Sequence, residues 1–286
     1  MPAKADPAAL LAEVNERLAL ALPEAVCELD HDDPWQLLVV TILSAQAKDA
    51  VINQIRPVLF ERWPTPADLA EAPQEEVEVV VKRSGYFRNK AKAIRACAKA
   101  IVERHDGEVP QTHEELVALP GASHKTANLV LGIAFGVASG IVVDTHVARV
   151  SARLGVVQSG KKPDKVEARL CELVPREHWI DISHRLILHG RHVCKSKQPD
   201  CAHCAINELC ESREREGEGS WRDRAELEGQ LFAARGDRAA VGWPSSEPGR
   251  AQSQPQSQPQ SQPKSGQGSK PAASKSSPAA DQEDDF

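Results

Sequence analysis

The chain has 286 residues, of which 41% are hydrophobic, enough for one large packed domain or two lobes. No apolar stretch is long enough to span a bilayer, and the start lacks an export signal, so a soluble cytoplasmic protein is expected. The formal net charge of −6 hides a basic middle: residues 1–81 hold 5 basic and 15 acidic residues, 82–213 hold 21 and 14, and the remainder hold 9 and 12, so a polyanionic partner is not excluded.

Asp6-Pro7 reads as a helix cap followed by a first-turn proline, and Leu10, Leu11, Val14, Leu18 and Leu22 recur at helical spacing until Pro23. The same logic predicts helices near 34–46, 49–62, 75–83, 88–104, 113–118, 124–135, 145–154, 164–173 and 178–189. Alternation of period two never exceeds a few residues, so the expected fold class is all-α with short connections. After Arg213 the composition shifts to the charge cluster Glu214 to Glu218 and the SQPQ repeats between Ser253 and Lys264. Residues 214–286 are therefore expected to be a low-complexity, mostly disordered tail, with Trp221, Ala225, Leu231, Phe232 and Trp243 as material for a short docked helix.

Between the predicted helices 113–118 and 124–135, Pro120-Gly121 forces a tight turn and leaves the first N–H groups of the second helix unpaired. Such groups suit a DNA phosphate, and simple helix packing is the plainer use of the same turn. Lys125 lies in the first turn of that second helix, where a lysine is ordinarily a solvated charge. Asp144 is placed to cap the helix at 145–154. A helix over 124–135 is about 18 Å long. Eight extended residues reach at most roughly 26 Å, so 136–143 can carry the chain back toward Lys125.

Seven cysteines without an export signal read as thiolates or metal ligands, since a reducing compartment disfavours disulfides. Cys27, Cys97 and Cys171 fall singly in apolar helical patterns and are expected to pack. Cys194, Cys201, Cys204 and Cys210 form C-x6-C-x2-C-x5-C, a donor set suited to zinc or to an iron-sulfur cluster. Either group would tie a loop too short to carry its own core. Arg191, Lys195 and Lys197 beside it make a phosphate-gripping finger or an ordinary solvated loop. Lys82 to Arg104 carries eight Lys or Arg against one acid, Glu103; a DNA-backbone contact is expected there over a merely solvated face.

In this order, Leu119-Pro120-Gly121-Ala122-Ser123-His124-Lys125-Thr126-Ala127, Val143-Asp144-Thr145-His146 and the cysteine run resemble the endonuclease III family of DNA glycosylases, over about residues 7–213. The resemblance implies two helical lobes. One spans 25–138 with a helix-hairpin-helix at 113–131; the other joins 1–24 to 139–213 and ends in a 4Fe-4S cluster held by Cys194, Cys201, Cys204 and Cys210. It implies a monomeric base-excision-repair enzyme that removes oxidised pyrimidines from double-stranded DNA and cleaves abasic sites by β-elimination. Lys125 would be the nucleophile, and Asp144 would assist proton transfer and stabilise the cationic sugar.

Such an enzyme must extrude its target nucleotide and fill the gap. Leu43-Ser44-Ala45-Gln46-Ala47-Lys48-Asp49 resembles the family's gap-filling segment with Gln46 at its tip, and Gly85-Tyr86-Phe87-Arg88-Asn89-Lys90 resembles the opposite wedge. Tyr86 stands where the family commonly has an aliphatic residue. The hairpin backbone at Gly121 and Ser123 would grip phosphate, although Ser123 replaces the family's usual second glycine and His124 its frequent arginine. Two rivals are a mismatch adenine glycosylase, whose catalytic glutamate would align with Val40, and a non-catalytic iron-sulfur DNA-binding module. Finally, Asp281 to Phe286 resembles the acidic tips of bacterial single-strand-binding proteins, so a protein partner there is weighed against a solubilising terminus.

Overall fold

Short capping side chains and first-turn prolines start several helices of the computed structural model, which describes residues 6–234 apart from 24 and 26. Helix α1 (Pro7–Ala21) opens with Asp6 accepting from the Ala8 amide, and α2 (Pro34–Ser44) with Asp33 accepting from the Gln36 amide at 2.7 Å. There follow α3 (Asp49–Arg62), α4 (Pro66–Glu71), α5 (Gln74–Val81), α6 (Phe87–Arg104), α7 (His113–Val117), α8 (His124–Phe135), α9 (Thr145–Arg153), α10 (Pro163–Leu173), α11 (Trp179–His192) and α12 (Trp221–Ala234). No strand occurs among the described residues, and no helix among them is long and apolar enough to cross a membrane. The fold is all-α, as the missing period-two pattern predicted.

Three boundaries depart from expectation for local reasons. The short α4 carries too few residues to show a period; it forms because Thr65 and Asp68 cap each other reciprocally. Helix α2 stops at Ser44 instead of 46, because Gln46 sits at φ 56° and cannot continue a right-handed helix. Helix α11 runs on to His192, which brings Arg191 to the brink of the cysteine loop.

Buried apolar residues form three clusters. Helix α2 is apolar all round and buries every residue from Leu37 to Leu43, at the centre of a cluster drawn from α2, α3, α5, α6 and α8. A second cluster joins α1, α9, α10 and α11. Helices α9 and α11 approach closely at Gly190, where an added Cβ would lie 2.8 Å from the His146 Cβ.

The third cluster corrects the reading of the tail. Residues 221–234 are not low-complexity chain but a docked helix, with Ala225 and Phe232 buried against Ala21, Leu22, Leu188 and Ala205. Trp221, Ala225, Leu231 and Phe232, noted at the tail's start, were the signal, and the surrounding charges masked it. Burying the phenylalanine alone contributes about 1.5–3 kcal/mol. Trp243, the SQPQ repeats and the acidic tip at 281–286 lie outside the described residues.

Candidate active site and cysteine loop

The hairpin follows from backbone constraints. After α7 the chain turns through Gly121, at φ 82°, whose missing Cβ lets the turn rest against Ala93 of α6 and Ile42 of α2. A Cβ there would lie 3.0 Å from the Ala93 Cβ. Ser123 caps α8, its Oγ accepting from the Thr126 amide at 3.2 Å, so the serine that replaces a glycine does local work on the helix start. The first-turn amides of His124 and Lys125 keep no intrahelical partner, as in any α-helix. Lys125 is exposed at this positive helix end.

Asp144 caps α9: its Oδ1 accepts from the His146 amide at 2.7 Å and the Val147 amide at 2.9 Å. The capping reading is thus correct, but it uses one carboxylate oxygen. The other, Oδ2, takes part in no hydrogen bond of the described residues and is available for chemistry.

Asp49, in the first turn of α3, ties the two together. Burial pushes its carboxyl up, the Lys125 ammonium draws it down, and the Asp144 carboxylate pushes it up again. The charges of Lys125 and Asp144 thus both reach Asp49. Sequence reading passed over Asp49, although it closes the Leu43 to Asp49 segment that was singled out. Arg191 reaches the same place: its Nη1 donates to Asp49 Oδ2 at 2.8 Å and pairs with Glu28, which also lies 3.3 Å from His192 Nε2. Arg191, expected to grip phosphate, is here held by these two carboxylates.

Gln46 and Tyr86 are both exposed, Tyr86 by 69%, and both adopt left-handed backbone, at φ 56° and 46°. Only two other non-glycine residues among those described do so, Asp106 and Gln198. Such conformations persist only where their surroundings enforce them. At Tyr86 the enforcement is visible: Lys90, buried within the basic helix α6, donates from Nζ to the Ser84 carbonyl at 2.6 Å and pins the turn before the tyrosine.

The basic run is accordingly only partly a surface. Lys90 is buried, and Arg95 bonds Gln74 Oε1 at 3.1 Å, while Lys82, Arg83, Lys92 and Arg104 remain exposed. Lys195 and Lys197 are exposed as well.

The four cysteines line one cavity of about 400 Å³ including its mouth, together with Val150, Arg153, His189 and Ile206. They do not close on a point, since the described residues hold no group of three or more His, Cys, Asp or Glu arranged for a single metal ion. The loop is held by distant side chains that sequence reading missed. Arg153 of α9 donates to Cys194 Sγ at 3.1 Å and to the Lys195 carbonyl at 2.7 Å, and Arg149 donates to the Cys194 carbonyl at 3.0 Å. His189 of α11 is wholly buried between Glu228 and Cys204; burial alone would push its imidazole down, but the carboxylate and the thiol lift it well above its ordinary value. Of the three other cysteines, Cys97 is buried, and Cys27 and Cys171 are half-buried in the first and second apolar clusters.

Val40, where the rival adenine glycosylase would place its catalytic acid, is fully buried in the first cluster. Residues 39–176 match the family described as HhH-GPD superfamily base excision DNA repair protein. Endonuclease III of Synechocystis is 47% identical over 190 residues, covering 66% of this chain and 86% of its own. Endonuclease III of Bacillus subtilis is 43% identical over 205 residues, covering 71% and 93%. Among solved structures, a trapped endonuclease III–DNA covalent intermediate superposes with a TM-score of 0.69 at 39% identity, covering 72% of this chain and 97% of that one.

Proposed function

The chain belongs to the endonuclease III family of base-excision-repair DNA glycosylases with abasic-site lyase activity, and we propose that Lys125 is its nucleophile and Asp144 its proton acceptor. The observation that supports this reading is an exposed amine on a helix start and one carboxylate oxygen left over from capping, with both groups acting on the Asp49 carboxyl.

The chemistry follows from those groups. With its proton passed to Asp144 Oδ2, the Lys125 amine attacks C1′ of the damaged nucleotide; the nitrogen–carbon bond forms as the base leaves with the glycosidic electron pair and a proton. The attached amine then expels the ring oxygen to give a Schiff base. Loss of a C2′ proton breaks the bond from C3′ to its phosphate oxygen, and the strand is cut. Once it has handed that proton on to the departing base, Asp144 is free to stabilise the cationic sugar. Oxidised pyrimidines are the substrates this chemistry would serve.

Gln46 and Tyr86 are suited to occupy the space of an extruded nucleotide, because strained turns hold both outward at the ends of rigid helices. The hairpin at Gly121 and Ser123 offers backbone N–H groups to phosphate, and Lys195 and Lys197 add positive charge. The lobes expected over 25–138 and over 1–24 with 139–213 would flank the DNA, a division that two separate apolar clusters support.

Cys194, Cys201, Cys204 and Cys210 would hold a 4Fe-4S cluster. Four soft sulfurs lining one cavity, with Arg153 beside Cys194 to balance thiolate charge, fit that group. When bound, it supplies iron–thiolate bonds that cross-link a loop without a core of its own.

Borohydride trapping on abasic DNA tests the nucleophile. Wild type should form a covalent adduct and Lys125→Ala none; an adduct of wild-type yield from the alanine variant would refute the assignment.

A further inference from the structure

Helix α12 takes no part in the repair chemistry above, yet it carries two deeply buried charged residues. Arg224 and Glu228, one turn apart, are 1% and 0% exposed. Arg224 Nε donates to the Cys204 carbonyl at 2.8 Å, its Nη1 donates to the Gly219 carbonyl at 2.6 Å, and its Nη2 pairs with Glu208. Glu228 Oε1 lies 2.7 Å from His189 Nδ1, and the Nε2 of that buried ring faces Cys204 Sγ at 3.7 Å. Glu228 Oε2 receives the Ala205 amide at a long 3.5 Å. An apolar side chain would have served beside Phe232 and Ala225, since burying a carboxylate costs several kcal/mol before its partners offset it. The use of Glu228 lies in what it holds.

A thiolate that ligates metal has only lone pairs to offer, so a nitrogen facing it must donate. His189 lies between that sulfur and Glu228, its Nδ1 held by the carboxyl and its Nε2 turned toward Cys204. Outer partners of this kind orient metal ligands, and hydrogen bonds to cluster sulfurs set reduction potentials.

We propose that Glu228 is a positioning residue for the cysteine-held cluster: through His189 it aims an N–H donor at the Cys204 sulfur, fixing that ligand and raising the cluster's reduction potential. The inference rests on the iron-sulfur reading of the loop. Helix α12 is thus a clamp on Cys204, gripping its carbonyl through Arg224 and its sulfur through Glu228 and His189.

Glu228→Leu keeps roughly the size of the side chain but removes the partner of Nδ1 that aims the ring at the sulfur. In the full-length, cluster-loaded protein, voltammetry should show a lower midpoint potential, the visible iron–thiolate band should shift, and iron should pass to a chelator roughly 10-fold faster. Phe232→Ala, which loosens α12 without touching this chain of bonds, should lower the melting temperature and leave the potential alone. Should the leucine variant fail to fold, Glu228→Asp, whose shorter side chain holds the ring less closely, must still move the potential in the same direction. A wild-type potential and band in the folded Glu228 variant, or an equal shift from Phe232→Ala, would overturn the proposal. Iron and sulfide assays of the wild type separate the two levels: their absence removes the cluster reading and this inference with it, whereas a loaded wild type with an indifferent variant removes the inference alone.

Discussion

The hairpin end and the cysteine loop hold their chemistry in place by opposite means. Around Lys125 the geometry comes from local backbone: the left-handed Gly121, the Ser123 cap and the Asp144 cap, with the reactive side chain left exposed. Around the four cysteines it comes from remote side chains, Arg149 and Arg153 of α9 and Arg224 and Glu228 of α12, which reach carbonyls and sulfurs across the fold. A nucleophile has to meet a macromolecule and change protonation state, so it cannot be sealed in. The cysteines proposed to hold a cluster must keep their place, and side chains of α9 and α12 hold their loop. Substitutions at the first region should therefore cost activity more than stability, and at the second should cost metal retention.

The sharpest separation is expected at Asp144. Asparagine caps helices as well as aspartate, so Asp144→Asn should melt near wild type while single-turnover base release falls about 10²–10⁴-fold. Full activity in a destabilised variant would reduce Asp144 to a cap and break the contrast.

On the hairpin side one buried group adds a pH dependence. His184 lines a small cavity with Asn128, Leu129 and Gly132 of α8, and burial pushes its imidazole down to about 4. The folded ring stays neutral while the unfolded chain takes up a proton below pH 6.5. The stabilisation is thus complete above pH 6.5 and drains away as pH falls toward 4, by about 3 kcal/mol in all. Urea denaturation of His184→Gln across that window should show a flatter acid limb; an unchanged slope would place the pH dependence elsewhere.

Next comes Arg153→Ala, which removes donors to Cys194 Sγ and to the carbonyls of Cys194, Lys195 and Ser196. Cluster retention should weaken by roughly 10–100-fold in a chelator challenge, with borohydride trapping per loaded molecule preserved. Loss of trapping at full iron content would show that the two regions are not separable.

The smallest effect sharpens the comparison from the other side. Gly121→Ala forces a side chain into left-handed backbone 3.0 Å from the Ala93 Cβ and 3.2 Å from Ile42 Cγ2. It should cost about 1–3 kcal/mol, making Gly121 the hairpin position where stability does fall. Thermal melts read it directly, and a melting temperature equal to wild type would mean the turn tolerates a Cβ.

Most helices were legible because their starts are local events: Asp6 before Pro7, Asp33 before Pro34, Ser123 and Asp144 before their helices. The helix at 66–71 escaped because its evidence is a two-residue cap and not a periodic face. Lys90 was read with its neighbours as a DNA-facing charge, since nothing in a run of lysines marks the one whose ammonium finds a carbonyl.

Sequence alone determined the all-α class, the hairpin turn and the grouping of four cysteines, because caps, turns and short spacings are written within a few residues of one another. Only the tertiary structure decided that Asp49 feels the charges of both Lys125 and Asp144, that Arg191 is held by Glu28 and Asp49, and that Glu228 is buried against His189. Those pairings join residues far apart in the chain, and a charged side chain carries no local mark of whether water or an opposite charge will surround it.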